Sequence, residues 1–151
     1  MKKLDRNMKK ILIILILTGI AYFAHTSGVQ AQCNADGFTE QCLGSLEDGF
    51  TFLKSFKVDG QGGGKEKVEF SYVFSKDTDY YINICTGSAN VDGIKVTLYD
   101  SNRKMVGTNY ANGKFFGAVK YPCSATGIYY ITFTFEGSSN YCGGSVLGFK
   151  R

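Results

Sequence analysis

From Val68 onward the chain alternates between apolar and polar positions. Val68, Phe70, Tyr72 and Phe74 enclose Glu69, Ser71 and Val73, the period-two pattern of a strand with one buried face. Tyr80, Ile82 and Ile84 alternate with Tyr81, Asn83 and Cys85, and Ile94, Val96 and Leu98 with Lys95, Thr97 and Tyr99. The strongest strand signal follows the turn Ala125-Thr126-Gly127, where β-branched and aromatic residues run on to Phe135. There Tyr129, Ile131, Phe133 and Phe135 share one face, and Tyr130, Thr132 and Thr134 the other.

Further strands are expected at Phe50–Val58, Met105–Tyr110, Phe115–Tyr121 and Tyr141–Phe149. In the first, Phe50, Phe52, Phe56 and Val58 are assigned to one face, and Lys54 interrupts it as the mark of a sheet edge. The glycines of the last weaken it as a strand but let another layer approach closely. Asp59 to Lys65, D-G-Q-G-G-G-K, reads as a flexible loop. It lacks the Lys-Ser/Thr and helix of a phosphate cradle. Asp100-Ser101-Asn102 and Ala111-Asn112-Gly113-Lys114 read as turns. Gln32 to Gly49 is polar, with a helical turn expected near Phe38 to Leu43. The expected fold is all-β: a two-layer antiparallel β-sandwich, jelly-roll-like, of about eight strands at spacings of about 8–12 residues.

The first 31 residues read as a cleavable signal helix rather than part of that fold. Lys2, Lys3, Arg6, Lys9 and Lys10 form a basic start, Ile11 to Ala24 a short apolar run, and Val29-Gln30-Ala31 a small-residue cleavage site before Gln32. The alternative is an uncleaved anchor, although the run is short of the ~20 residues a membrane span needs. Residues 32–151 are then a single secreted or periplasmic domain, near the membrane only before cleavage. Five of the 17 basic residues and one of the 13 acidic ones precede Gln32, which leaves twelve of each. The net charge of +4 thus belongs to the leader, and no basic stripe points to nucleic acid.

Cys33, Cys42, Cys85, Cys123 and Cys142 all follow the leader. In an exported chain they predict two disulfides and one spare thiol. Spacing leaves the pairing open. The favoured assignment is Cys33 with Cys42, closing a short loop, and Cys85 with Cys123, which leaves Cys142 free or bridged to a partner.

Three segments in order, V-E-F-S-Y-V-F at 68–74, I-K-V-T-L-Y-D-S-N at 94–102 and A-T-G-I-Y-Y-I-T-F-T-F at 125–135, resemble the bacterial pre-peptidase C-terminal domain and its jelly-roll relatives. In that family an L-Y-D-S turn follows an inner strand, and a G-x-Y-Y-I strand precedes the last one. The resemblance covers about Val68 to Phe149 and implies a non-catalytic accessory or binding module of exported proteins.

The chemistry available is limited. His25 is the only histidine and falls within the leader, so residues 32–151 hold no imidazole for a Ser/His/Asp or Cys/His mechanism. A hydrolase would need two carboxylates facing each other across a cleft, and none of the acids carries such a signature. Asp77, Asp79, Asp92 and Asp100 sit near turns and are a candidate calcium set; ordinary turn aspartates are the favoured reading, with no cofactor. Tyr81, Tyr99 and Tyr130 fall on faces opposite the apolar set. On neighbouring strands they would make an exposed aromatic strip able to take a protein or a glycan. The functional expectation is a non-catalytic binding or accessory module. A structural subunit of an envelope or surface assembly is the alternative, and a carboxylate hydrolase comes third.

Overall fold

The computed structural model describes residues 32–87, 93–135 and 140–151. The expected signal peptide, Met1 to Ala31, and Asp92 lie outside them.

One helix precedes the strands. α1 (Ala35–Gly44) is capped by Asn34, whose Oδ1 accepts from the Gly37 N–H at 3.3 Å, with Asp36 in the first turn. It buries Ala35, Thr39 and Cys42, one stripe at helical spacing. Only a turn was expected here; Phe38 and Leu46 extend the stripe and pack with it.

The strands are β1 (Thr51–Asp59), β2 (Lys67–Phe74), β3 (Thr78–Thr86), β4 (Lys95–Tyr99), β5 (Met105–Thr108), β6 (Tyr110–Ala111), β7 (Lys114–Phe115), β8 (Ala118–Cys123), β9 (Gly127–Thr134) and β10 (Cys142–Lys150). They form two four-stranded antiparallel sheets, ordered β1-β10-β3-β8 and β2-β9-β4-β5, and a small β6-β7 ribbon. Setting the ribbon aside, each order interleaves early and late strands as a jelly roll does. The first is called the helix-side sheet below and the second the open sheet.

The core lies between the layers. Phe74, Ile82, Leu98, Ile131, Phe133 and Leu147 are fully buried there, and all but Leu147 follow directly from the alternation. Phe74 stacks on Tyr80, with centroids 3.8 Å apart. A smaller core joins α1 to the outer face of the helix-side sheet through Cys42, Cys85 and Val146. Here the glycines of β10 act as expected. A Cβ on Gly144 would collide with the backbone of Phe38 and Thr39. Buried Asn83 ties α1 to the helix-side sheet: its Nδ2 donates to the Cys42 carbonyl and its Oδ1 accepts from the Val146 N–H, each at 2.9 Å.

Two disulfides and one free thiol are present, but the pairing differs from the expectation. Cys33 joins Cys142 and Cys42 joins Cys85, while Cys123 is the free, buried thiol. Cys33 cannot reach Cys42 because the helical stretch of α1 from Ala35 to Cys42 spans about 10 Å, beyond the reach of a disulfide. Cys85 lies on the helix-facing side of β3, in the small core. Cys123 faces the main core from β8, opposite Thr78 at the far end of β3.

Two strands also differ in detail. The β1–β10 register shifts between Phe52 and Lys54, so Leu53 turns inward and Phe52 is left exposed. The predicted Met105–Tyr110 strand stops at Thr108. Buried Asn109 ends it by accepting from the Val96 N–H at 2.7 Å and donating to the Ile94 and Phe116 carbonyls.

Candidate functional site

α1 covers part of the helix-side sheet's outer face. Among the described residues no helix packs on the corresponding face of the open sheet. Register alone lays out what this face carries. Ser71, Tyr130, Tyr99 and Met105 form one row across the four strands, and Glu69, Thr132, Thr97 and Thr108 the next. Val73 and Ile128 pair beyond the first row, and Lys67, Thr134 and Lys95 lie beyond the second.

The β4–β5 turn supplies one more residue. Asp100 accepts the Asn102 and Lys104 N–H groups on Oδ1, each at 2.9 Å, and this closes the turn. Arg103 adopts φ +62° within it, a left-handed conformation rare outside glycine. Its guanidinium lies over the Tyr130 ring, 3.5 Å from the centroid. Its Nη1 donates to both Glu69 carboxylate oxygens at 2.9 Å, and the Thr132 hydroxyl donates to Glu69 Oε2 at 2.9 Å. Burial pushes the Glu69 carboxyl up, but the Arg103 and Thr132 hydrogen bonds and the Arg103 and Lys67 charges outweigh it and hold it below its ordinary value. Glu69 is therefore kept as an anion, the opposite of what a general acid needs.

The three tyrosines expected in one strip are divided. Tyr99 and Tyr130 are register partners on the open sheet. Tyr81 is on the helix-side sheet, 5.2 Å from the Phe50 ring. Burial, and then the Glu47 charge, raise its phenol above the ordinary value. The strip fails because β3 belongs to the other layer, which alternation along one strand does not reveal. Nothing in the sequence sets apart Arg103, which covers Tyr130; a charged residue two positions after Ser101 in a tight turn is an ordinary sight.

The aspartates do not form a cluster. Asp77 is in the β2–β3 turn at φ +58°, Asp79 faces Pro122 across β3–β8, and the Asp100 carboxylate is used by its own turn. Among the described residues no three His, Cys, Asp or Glu side chains come together to hold a metal.

At the end of the sandwich that carries these turns, a cavity of about 270 Å³ opens between Asn102 and Thr126. Tyr121 and Tyr129 line it, their hydroxyls 3.3 Å apart. Tyr129 donates to the Ala125 carbonyl at 2.9 Å, as does the Cys123 thiol at 3.1 Å. Burial, with the hydrogen bonds to Tyr121 and Cys123, pushes the Tyr129 phenol far above its usual range. This group is a neutral donor already engaged with the backbone.

No family model matches the chain, and no curated protein matches it. Solved structures similar to it include two from bacteria. One is PliG of Aeromonas hydrophila, a periplasmic lysozyme inhibitor of g-type lysozyme, at 15% identity over 67% of this chain and 84% of that one, with a TM-score of 0.41. The other is the pre-peptidase C-terminal domain of a collagenase from Bacillus anthracis, at 13% identity over 67% of this chain and 89% of that one, with a TM-score of 0.44. The second is a domain of the kind that the strand and turn segments resemble.

Proposed function

We propose that residues 32–151 are an exported, non-catalytic module that binds a protein through the outer face of the open sheet. The observation that carries this reading is the surface around Tyr99 and Tyr130. Met105, 56% exposed, and the Arg103-capped Tyr130 flank Tyr99 on a face that no described helix covers. An exposed methionine and two half-buried tyrosines beside an arginine have the composition of a protein-binding patch. Export is supported by two disulfides, which persist in oxidising compartments. The non-catalytic reading is supported by the lack of histidine after position 25 and by the anionic, fully engaged Glu69.

A protein suits this face better than a glycan. Sugar rings stack on an open aromatic face, and the Tyr130 ring already carries a guanidinium at 3.5 Å. The test is to present the purified domain both to an envelope extract of its own organism and to a glycan array. The expected result is retention of a discrete protein with no glycan bound. Binding of glycans alone would refute the reading.

A further inference from the structure

A sandwich of two open sheets has four edge strands to protect, and three of them here carry protection. β1 has a bulge next to Lys54, and Lys57 on the same strand is tied to Asp36 of α1 at 2.7 Å. β5 is four residues long and also bulged against β4. β8 contains Pro122, which has no N–H to offer. β5 and β8 also meet across the layers: a Cβ on Gly107 would lie 3.0 Å from Val119 Cγ1. Short length, bulges, proline and lysine are the devices that keep sheet edges from pairing.

β2 has almost none of them. It runs eight residues against β9 without a register shift. It contains no proline, and its one lysine is at the first position. Among the described residues it pairs with β9 alone, so its other edge presents unpaired backbone groups. Two further observations point to a missing neighbour. The core-facing Val68, Phe70 and Tyr72 are only partly buried. On the outer face, Val73 is 59% exposed and Ile128 48%, and they line a shallow groove with Ser71 and Tyr72.

We propose that this edge pairs with the β2 edge of a second copy, antiparallel about a two-fold axis, to make one continuous eight-stranded sheet. β2 supplies what its own edge lacks. Opposed residues of an antiparallel pair share a face. A register centred on Phe70 therefore sets Val68 opposite Tyr72 and Phe70 opposite Phe70 on the core side. On the outer side it sets Glu69 opposite Ser71 and lays the aliphatic stem of Lys67 across Val73. No like charges face each other, and every residue from Lys67 to Val73 finds a partner. One open edge per copy gives an isologous contact that closes at the dimer. The inference does not rest on the protein-binding reading, because the Tyr99–Met105 region lies across the sheet from this edge.

Sedimentation velocity of residues 32–151 tests it, with Val73→Lys and Ser71→Lys as variants. Both side chains are exposed, so folding, checked by circular dichroism and melting, is retained. The expected result is a dimer for the unmodified domain and a monomer for both variants, each placing a lysine on the edge. A domain that stays monomeric at about 100 µM, where even a weak contact is populated, would overturn the proposal. So would a dimer that survives both lysines.

Discussion

The Arg103 guanidinium lies over the Tyr130 ring, 3.5 Å from its centroid, although neither residue is near the other in sequence. The same guanidinium holds Glu69. This small network fixes the β4–β5 turn to the face of β9 and shapes the proposed binding surface.

Its electrostatics give a pH signature. The Glu69 carboxyl is held below its ordinary value of 4.5, so the unfolded chain binds the proton more readily than the folded one. The resulting stability is present above 4.5 and is lost as pH falls through the lower folded value. Melting temperature followed from neutral pH down to about pH 3 should fall more steeply for the unmodified domain than for Glu69→Gln. Parallel curves would remove Glu69 from the account.

The disulfides should differ in accessibility. Cys42 and Cys85 are buried at 0% and 8% exposure, whereas Cys33 and Cys142 are partly open. Mild reduction followed by alkylation and mass mapping should therefore open Cys33–Cys142 first. That bridge closes 109 residues, and its removal by paired Cys→Ser substitution should cost about 3 kcal/mol in a denaturant titration. Labelling of Cys123 in the folded domain before either bridge opens would contradict this order.

Gly144 is where α1 meets β10. Gly144→Ala would push a methyl into the backbone of Phe38 and Thr39, so the helix must lift. A loss of about 3 kcal/mol is expected, with faster hydrogen exchange confined largely to α1. A neutral effect would mean that the contact is looser than the backbone positions imply.

Asn109 is fully buried and satisfies three backbone groups. Asn109→Ala strands the Val96 N–H and the Ile94 and Phe116 carbonyls, which should cost about 3 kcal/mol or more. Thermal denaturation measures it; a loss under about 1 kcal/mol would show that water replaces the amide readily.

Much of this fold is legible in the sequence, because a strand with one buried face alternates residue by residue. Phe70, Ile82, Leu98 and Ile131 fall inside for that reason alone. Other features depend on relations that alternation does not carry. Alternation gives the face within a strand but not the layer to which the strand belongs, so Tyr81 parts from Tyr99 and Tyr130. The cysteine pairs follow from the length of α1 and the facing of Cys85 and Cys123. The helix itself was readable, since Ala35, Phe38, Thr39, Cys42 and Leu46 recur at helical spacing; the polar residues between them obscure it. Nothing local marks Arg103 as the cover of Tyr130, because the left-handed turn that throws it back over the sheet is set by the hydrogen bonds of Asp100.

The most direct test of the binding account compares capture from an envelope extract by three immobilised forms of the domain. They are the unmodified domain, Met105→Lys with Tyr99→Ala on the proposed face, and Lys54→Glu on the exposed part of β1. The account predicts that the face variant loses its protein partner about tenfold or more while the β1 variant keeps it. Equal retention by all three forms would contradict it.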